Sequence, residues 1–339
     1  MNADYADNLE KNKILFAGTP DIAVPLLKKL AQTCNVVGVL TAVDKSVGRS
    51  AKLCPSPVKV AAMELGLPVL QFDSLKKEAR MAVRELGANV LVSFAYGKIF
   101  GPMFLALFPN GTFNVHPSPL PLFRGPSPIQ ATILHGLKEA AISLQVIGEK
   151  MDEGDLWAVE RFPLTGKETT QSLTQTVSEV AANFVPDVLK QALSHEISAV
   201  PQGSGPSYCQ MIEKEAGKLD FNKTAFELHC LVRASYPWPK AFAYADGKEV
   251  LITSVWGGFE ELEAEELLVN SKSATSPDTN QPANLKPGTV VGFRKDRGIG
   301  VACADKVLWI NGLQLPSKKE LDHKAFVNGN RWILESQFS

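Results

Sequence analysis

The sequence predicts an α/β domain, doubly wound around a mostly parallel sheet, followed by a small antiparallel β-barrel of the OB-like kind. Three observations carry this. In the first half of the chain, nearly continuous Val/Leu runs alternate with segments of helical spacing, the pattern of strands covered on both faces by crossover helices. Beyond residue 208, short apolar runs separated by turn residues take over, with Asp246-Gly247 as a strong hairpin signal. At 339 residues the chain exceeds one ordinary core and fits two.

Taken in order, Lys13 to Ala17 reads as a strand and Gly18-Thr19-Pro20 as a tight turn. Asp21 to Leu30 reads as a helix, because Ile22, Val24, Leu26, Leu27 and Leu30 recur at helical spacing. Val36 to Leu40 is a second strand. Ser56-Pro57 opens a helix that runs to Leu65, since serine caps and proline suits the first turn. Val69 to Gln71, a helix from Ser74 to Leu86 and a strand from Ala88 to Phe94 follow. A fifth strand then leads into the loop Gly111 to Gly125. Ala141 to Ile147 and Leu156 to Phe162 are strands around an acidic turn, and Thr169 to His195 is a long helix. Glycines and prolines after Ala199 mark a linker, which divides the chain into 1–200, a linker 201–207 and a second domain 208–339. In that domain Ala225 to Ala234 is a helix, Pro237-Trp238-Pro239 a rigid corner, and the runs 241–244, 250–255, 289–293, 299–303 and 307–310 are barrel strands. Residues 260–284, glutamate-rich and then Ser/Asn/Pro-rich, read as a mobile insertion.

Composition narrows the function. Apolar residues at 45% and charged residues at 21% fit a water-soluble globular protein, and a net charge of -1 argues against a surface that coats nucleic acid everywhere. Charge is nonetheless uneven: from Lys286 to Ser339 nine Lys/Arg face five acids, a surplus of four, so the barrel is a plausible nucleic-acid platform. The five cysteines are scattered and never spaced as CxxC, which argues against both a disulfide framework and a zinc site, so no metal is expected. Neither a targeting segment nor an apolar run long enough for a membrane is found, and a cytoplasmic protein without a membrane partner is expected. The first turn lacks GxGxxG, and GxxxxGK[ST] is absent, so neither a nicotinamide fingerprint nor a nucleotide-hydrolase loop is present.

The candidate site lies in Thr112 to Gly125. Pro117, Pro119 and Pro121 fix φ and withhold donors, which makes a stiff irregular loop at a strand's carboxyl end, where open α/β sheets bind ligands. Asn114 and His116 would face that crevice. Asp152 sits in the turn Met151-Asp152-Glu153-Gly154-Asp155, where an acid can be catalytic or merely satisfy backbone donors. Ala42 to Pro55, with Lys45, Arg49 and Lys52, is either a solvated loop or a phosphate-binding one. Arg49 is the preferred phosphate ligand of the three because a guanidinium grips phosphate bidentately.

Phe16-Ala17-Gly18-Thr19-Pro20-Asp21, Pro55-Ser56-Pro57-Val58-Lys59, Ala95-Tyr96-Gly97, Asn114-Val115-His116, Ser118-Pro119-Leu120-Pro121, Arg124-Gly125, Pro128-Ile129-Gln130, Asp152 with Gly154-Asp155 and Pro237-Trp238-Pro239 together resemble, in order and over nearly the whole chain, the methionyl-tRNA formyltransferase family. The resemblance implies a formyltransferase-like first domain and transfer of the formyl group of 10-formyltetrahydrofolate to the α-amino group of methionine on initiator methionyl-tRNA, in support of translation initiation. It implies Asn114, His116 and Asp152 as catalytic residues and Ser118, Pro119, Leu120 and Pro121 as the lining of the folate site; the cations of the loop and of the barrel are then the expected contacts of the tRNA, and a monomer is expected. Elementary chemistry agrees. Attack of an amine on a formyl carbonyl develops an oxyanion that Asn114 and His116 could meet with donors, and the amine must shed a proton, for which Asp152 is a candidate. A formyltransferase acting on a small amine and a hydrolase acting on water remain rivals within that chemistry. A non-catalytic RNA-binding module is the rival outside it.

Overall fold

The computed structural model describes residues 11–47, 52–264 and 285–339. The chain divides into two compact units: Met1–Pro128 with Ala140–Phe162 and Thr174–Cys209, and Ile129–Glu139 with Pro163–Leu173 and Gln210–Ser339.

The strands of the first unit are β1 (Lys13–Gly18), β2 (Asn35–Thr41), β3 (Lys45–Val47), β4 (Lys52–Cys54), β5 (Val69–Gln71), β6 (Val90–Phe94), β7 (Gly111–His116), β8 (Glu139–Val146) and β9 (Leu156–Pro163). Seven of them form one sheet in the order β5-β2-β1-β6-β7-β8-β9. From β5 to β7 all pairs are parallel, and β7 meets β8 antiparallel. Strand β1 is buried at every position after Lys13 and β6 at all of its positions, which is why their apolar residues are consecutive rather than alternating. The order reverses between β1 and β6, so the loops leaving their carboxyl ends diverge and open a crevice. The Thr19 hydroxyl, just past β1, donates to the Tyr96 carbonyl just past β6 at 2.9 Å.

The helices follow the expected order with instructive differences. Ser56 caps the helix Pro57–Glu64 as predicted, its hydroxyl accepting the Lys59 N–H at 3.0 Å. The predicted helix at Asp21 opens instead as a 3₁₀ turn, Asp21–Ala23, before the α-helix Val24–Thr33. Pro25 is the reason: it has no N–H to close an α-turn onto Asp21. The helix predicted from Ser74 begins at Lys77, and it ends at Gly87, whose φ of +67° is left-handed.

Two predicted loops contain strands. Gly111 to His116 is β7 itself, pairing Ser93 with Asn114 on one side and Asn114 with Gln145 on the other. Its polar Asn114 and His116 hide the alternation of Phe113 and Val115, both buried. The Ala42 to Pro55 segment is not a structureless loop either: β3 and β4 pair antiparallel, Lys45 opposite Cys54. Its base is tied down by Asp44, which accepts from Lys59 Nζ at 2.7 Å and from Gln71 Nε2 at 2.8 Å. Arg49 and residues 265–284 of the expected insertion lie outside the described residues.

The second unit centres on a helix, Ala225–Ser235, and an antiparallel sheet of β10 (Ala241–Ala245), β11 (Lys248–Val255), β12 (Val290–Arg294), β13 (Gly298–Ala302), β14 (Val307–Gln314) and β15 (Leu321–Asp322). Their order is β10-β11-β14-β13-β12, with β15 on β14. Thr224 and Glu227 form a reciprocal capping box at the helix start. Asp246 and Gly247, at φ +48° and +76°, supply the two left-handed residues of a tight hairpin turn between β10 and β11. The last residues pair with both edges of the sheet: Phe338 bridges Ala245 and Gln337 bridges Thr289. Leu228 and Val232 of the helix join Val250, Ile252, Ile310 and Leu313 in the core.

Candidate active site

Strand β7 is the platform. Asn114 and His116, two residues apart, share a face of the sheet, and each has a cross-strand partner on β8: Gln145 opposite Asn114 and Ser143 opposite His116. The Asn114 amide is partly exposed and makes no hydrogen bond among the described residues.

His116 is 5% exposed. Its Nε2 lies 2.9 Å from the Phe123 carbonyl, which only accepts, so Nε2 carries the proton. Its Nδ1 lies 3.5 Å from Asp152 Oδ1. Burial holds the imidazole below its ordinary pKa, and the Asp152 charge and the Phe123 carbonyl oppose that shift. In its neutral form Nδ1 presents a lone pair beside the carboxylate.

Asp152 adopts a left-handed backbone, φ +58°, in the turn between β8 and β9. Its Oδ2 accepts the Gly125 N–H at 2.9 Å, and its Oδ1 accepts Gln145 Nε2 at 2.9 Å. The sequence thus brings residues 114, 116 and 152 together through two neighbouring strands and one turn.

The proline-rich loop is held from both sides. Ser143 donates to the Ser118 carbonyl at 2.7 Å and accepts the Leu120 N–H at 3.1 Å. The Arg124 N–H donates to the Ser207 carbonyl, and Cys209 N–H to the Arg124 carbonyl, at 2.9 and 2.8 Å. Of the four residues expected to line the folate site, Ser118, Pro119 and Leu120 are buried and Pro121 is partly exposed. Ser118 spends its hydroxyl on the Leu122 carbonyl at 2.6 Å. The loop's shape is therefore fixed by its own residues together with Ser143, Ser207 and Cys209.

The tRNA candidates lie elsewhere. Lys45 is exposed on β3 and Lys52 belongs to β4. Residues 201–207, expected as a linker, are hydrogen-bonded into the first unit, which extends to Cys209. Gln202 accepts from Arg124 Nε at 3.1 Å and Nη2 at 2.8 Å, and donates to the Asp152 and Gly154 carbonyls, both at 2.8 Å. Arg124 is completed by the Tyr208 hydroxyl at 3.0 Å and Glu153 at 3.4 Å.

Gln145 and Gln202 escape the sequence reading. A signal existed for Gln145: in Ala140-Ala141-Ile142-Ser143-Leu144-Gln145, two polar residues alternate within an apolar strand, which aims both at one face. Among the described residues, no group of His, Cys, Asp and Glu could hold a metal ion, and no helix is long and apolar enough to cross a membrane.

Two family descriptions match the chain: Formyl transferase over residues 12–189 and Formyl transferase, C-terminal domain, over 211–331. The methionyl-tRNA formyltransferase of Treponema pallidum strain Nichols is 40% identical over 331 residues, spanning 95% of this chain and 98% of its own. That of Treponema denticola is 35% identical over 335 residues, with 96% and 99% covered. Among solved structures, the N-formyltransferase of Helicobacter canadensis, in complex with folinic acid and dTDP-3-aminofucose, shares the fold at TM-score 0.60 and 17% identity, covering 91% of this chain and all of its own. HypX of Aquifex aeolicus, in complex with tetrahydrofolic acid, does so at TM-score 0.56 and 17% identity, over 93% of this chain and 46% of its own. A sheet ending in Asn114 and His116 beside Asp152, two formyl-transferase matches and relatives of full length make this chain a member of the methionyl-tRNA formyltransferase family.

Proposed function

We propose that this chain transfers the formyl group of 10-formyltetrahydrofolate to the α-amino group of methionine on initiator methionyl-tRNA, with Asn114, His116 and Asp152 at the reacting centre. One observation carries the assignment of these residues: an imidazole nitrogen 3.5 Å from a carboxylate oxygen, on the same strand face as a carboxamide with no hydrogen-bond partner among the described residues. The bound folate supplies a formyl carbon activated by its attachment to N10. Asn114 donates an N–H to the carbonyl oxygen as negative charge develops there. His116 accepts at Nδ1 the proton that the attacking amine loses, and returns it to the departing N10.

Asp152 stabilises the imidazolium in between. This differs from the sequence expectation, which gave the proton to Asp152. Each of its oxygens already accepts an N–H, whereas His116 Nδ1 has a lone pair to offer. Folate approaches along the rigid loop Ser118 to Pro121. Lys45 and Lys52 on the ribbon, with Arg49 and the basic barrel, hold the tRNA backbone. The protein acts as a monomer in the cytoplasm.

Incubation with 10-formyltetrahydrofolate and methionyl-tRNA, with methionine and water as control acceptors, tests donor and acceptor together. In the same assay Asn114→Ala, His116→Ala and Asp152→Asn should each lower kcat about 10²- to 10³-fold with folate binding nearly intact. Asparagine tolerates the left-handed backbone at position 152, so that variant keeps the turn. A His116→Ala enzyme with near-parental kcat overturns the assignment.

A further inference from the structure

We propose that Gln145 and Gln202 are positioning residues: a directed chain of two carboxamides, begun by Arg124 and ended at Asp152, sets the orientation of the carboxylate that acts with His116. The inference rests on the catalytic reading of Asp152 given above. Its ground is that both ends fix the direction of the chain independently and agree in the middle. A guanidinium only donates, so the Gln202 atom that meets Arg124 Nε and Nη2, at 3.1 and 2.8 Å, is the oxygen. The Gln202 nitrogen then faces the carbonyls of Asp152 and Gly154, each at 2.8 Å. A carboxylate only accepts, so the Gln145 atom 2.9 Å from Asp152 Oδ1 is the nitrogen, and the Gln145 oxygen turns back. The two meet nitrogen to oxygen at 3.4 Å. Neither amide could be flipped without opposing like groups at its outer end.

The chain holds something that needs holding. Asp152 is a non-glycine residue at φ +58°, a conformation that persists where the surroundings over-determine it. Gln202 grips the main-chain oxygens on both sides of Glu153, and Gly154 lies so close to β8 that a Cβ there would meet the Val146 carbonyl oxygen at 1.9 Å. The turn is thereby fixed by Gln202 and β8, and the carboxylate by Gln145 and Gly125. Gln145 is 2% exposed, and among the described residues its amide nitrogen serves only the Asp152 carboxylate, with no backbone group as a second acceptor.

The test compares four enzymes for kcat, KM of both substrates and melting temperature: parent, Gln145→Leu, Gln202→Glu and Asp152→Asn. Leucine keeps volume and removes the donor. Glutamate keeps the pairing with Arg124 but sets an oxygen where the amide nitrogen donates, against the Asp152 and Gly154 carbonyls, so it releases the grip on the turn. The expected result, measured at a temperature where every variant is folded by its melting curve, is a fall in kcat of about 10- to 100-fold in both glutamine variants, with either KM within about 3-fold. A Gln145→Leu or Gln202→Glu enzyme within about 2-fold of parental kcat, while Asp152→Asn is impaired, overturns this inference and leaves the catalytic reading standing. An Asp152→Asn enzyme with parental kcat overturns both.

Discussion

Gly125 joins the loop to the acid, and replacing it with alanine should be costly for two separable reasons. Its φ is +113°, outside the left-handed basin that asparagine and aspartate tolerate, so a side chain there carries strain of about 1–3 kcal/mol. A Cβ would also lie 2.5 Å from the Cys209 carbonyl oxygen, where ordinary contact begins near 3.4 Å. The obstacle is backbone, so no rotamer change relieves it. Relaxation by most of an ångström in a packed region costs about 1–3 kcal/mol more. Together the terms come to about 2–6 kcal/mol, a fall of roughly 4–24 °C in melting temperature for a domain of this size.

Gly97 provides the comparison. Its φ is +85° with nothing within 4 Å of a built Cβ, so Gly97→Ala incurs strain without collision. Calorimetry of the two variants therefore separates the terms, and Gly125→Ala should melt several degrees below Gly97→Ala. Because the Gly125 N–H is, among the described residues, one of the two N–H donors to the Asp152 carboxylate, kcat at a temperature where the protein is folded should also fall, by about 10-fold or more. Equal melting temperatures for the two variants would refute the collision argument, and parental kcat in folded Gly125→Ala would refute the coupling to Asp152.

Two further predictions follow from other parts of the chain. Burial, and then the Arg233 guanidinium beside it, push His229 down to about 4, so the unfolded chain binds a proton first as pH falls below about 6.5. Stability present above that pH should decline by about 3 kcal/mol toward pH ~4, and His229→Gln should remove that part of the slope; an unchanged slope would refute it. Arg49→Ala should lower kcat/KM for methionyl-tRNA without altering folate binding, and saturating tRNA should protect the chain from trypsin at Arg49; equal cleavage with and without tRNA would leave only the solvated reading of the segment.

Much of the fold was legible because its signals are local. Consecutive apolar residues in β1 and β6 follow from burial on both faces, Ser56-Pro57 caps a helix wherever it is placed, and Asp246-Gly247 turns a hairpin by its own backbone preferences. What went unread has equally local causes. Strand β7 was hidden because Asn114 and His116, the residues the site requires, break the apolar pattern of the strand that presents them. Strands β3 and β4 are three residues each, too short for any periodicity to register.

The site was legible to a different depth. Asn114, His116 and Asp152 stand out as polar groups in a loop past a strand's carboxyl end and in an acidic turn, and Gln145 could have been found by alternation with Ser143. Gln202 could not. It lies among Pro201, Gly203, Gly205 and Pro206, a composition that reads as a linker, and its partners Asp152 and Gly154 are 50 and 48 residues away. Glycine and proline report that a segment makes no regular ladder; they do not report that it makes no contacts. A segment without a ladder must still satisfy its buried backbone groups, and it does so through bonds of low periodicity: Ser207 N–H to Pro121, Arg124 N–H to Ser207, Cys209 N–H to Arg124. Such a segment follows the surface it covers, and here that surface is the proline-rich loop and the acidic turn. A truncation that cut at residue 200, where composition places the boundary, would remove the side chain that holds the Asp152 turn, so loss of activity in that fragment would report on Gln202 before it reported on the barrel.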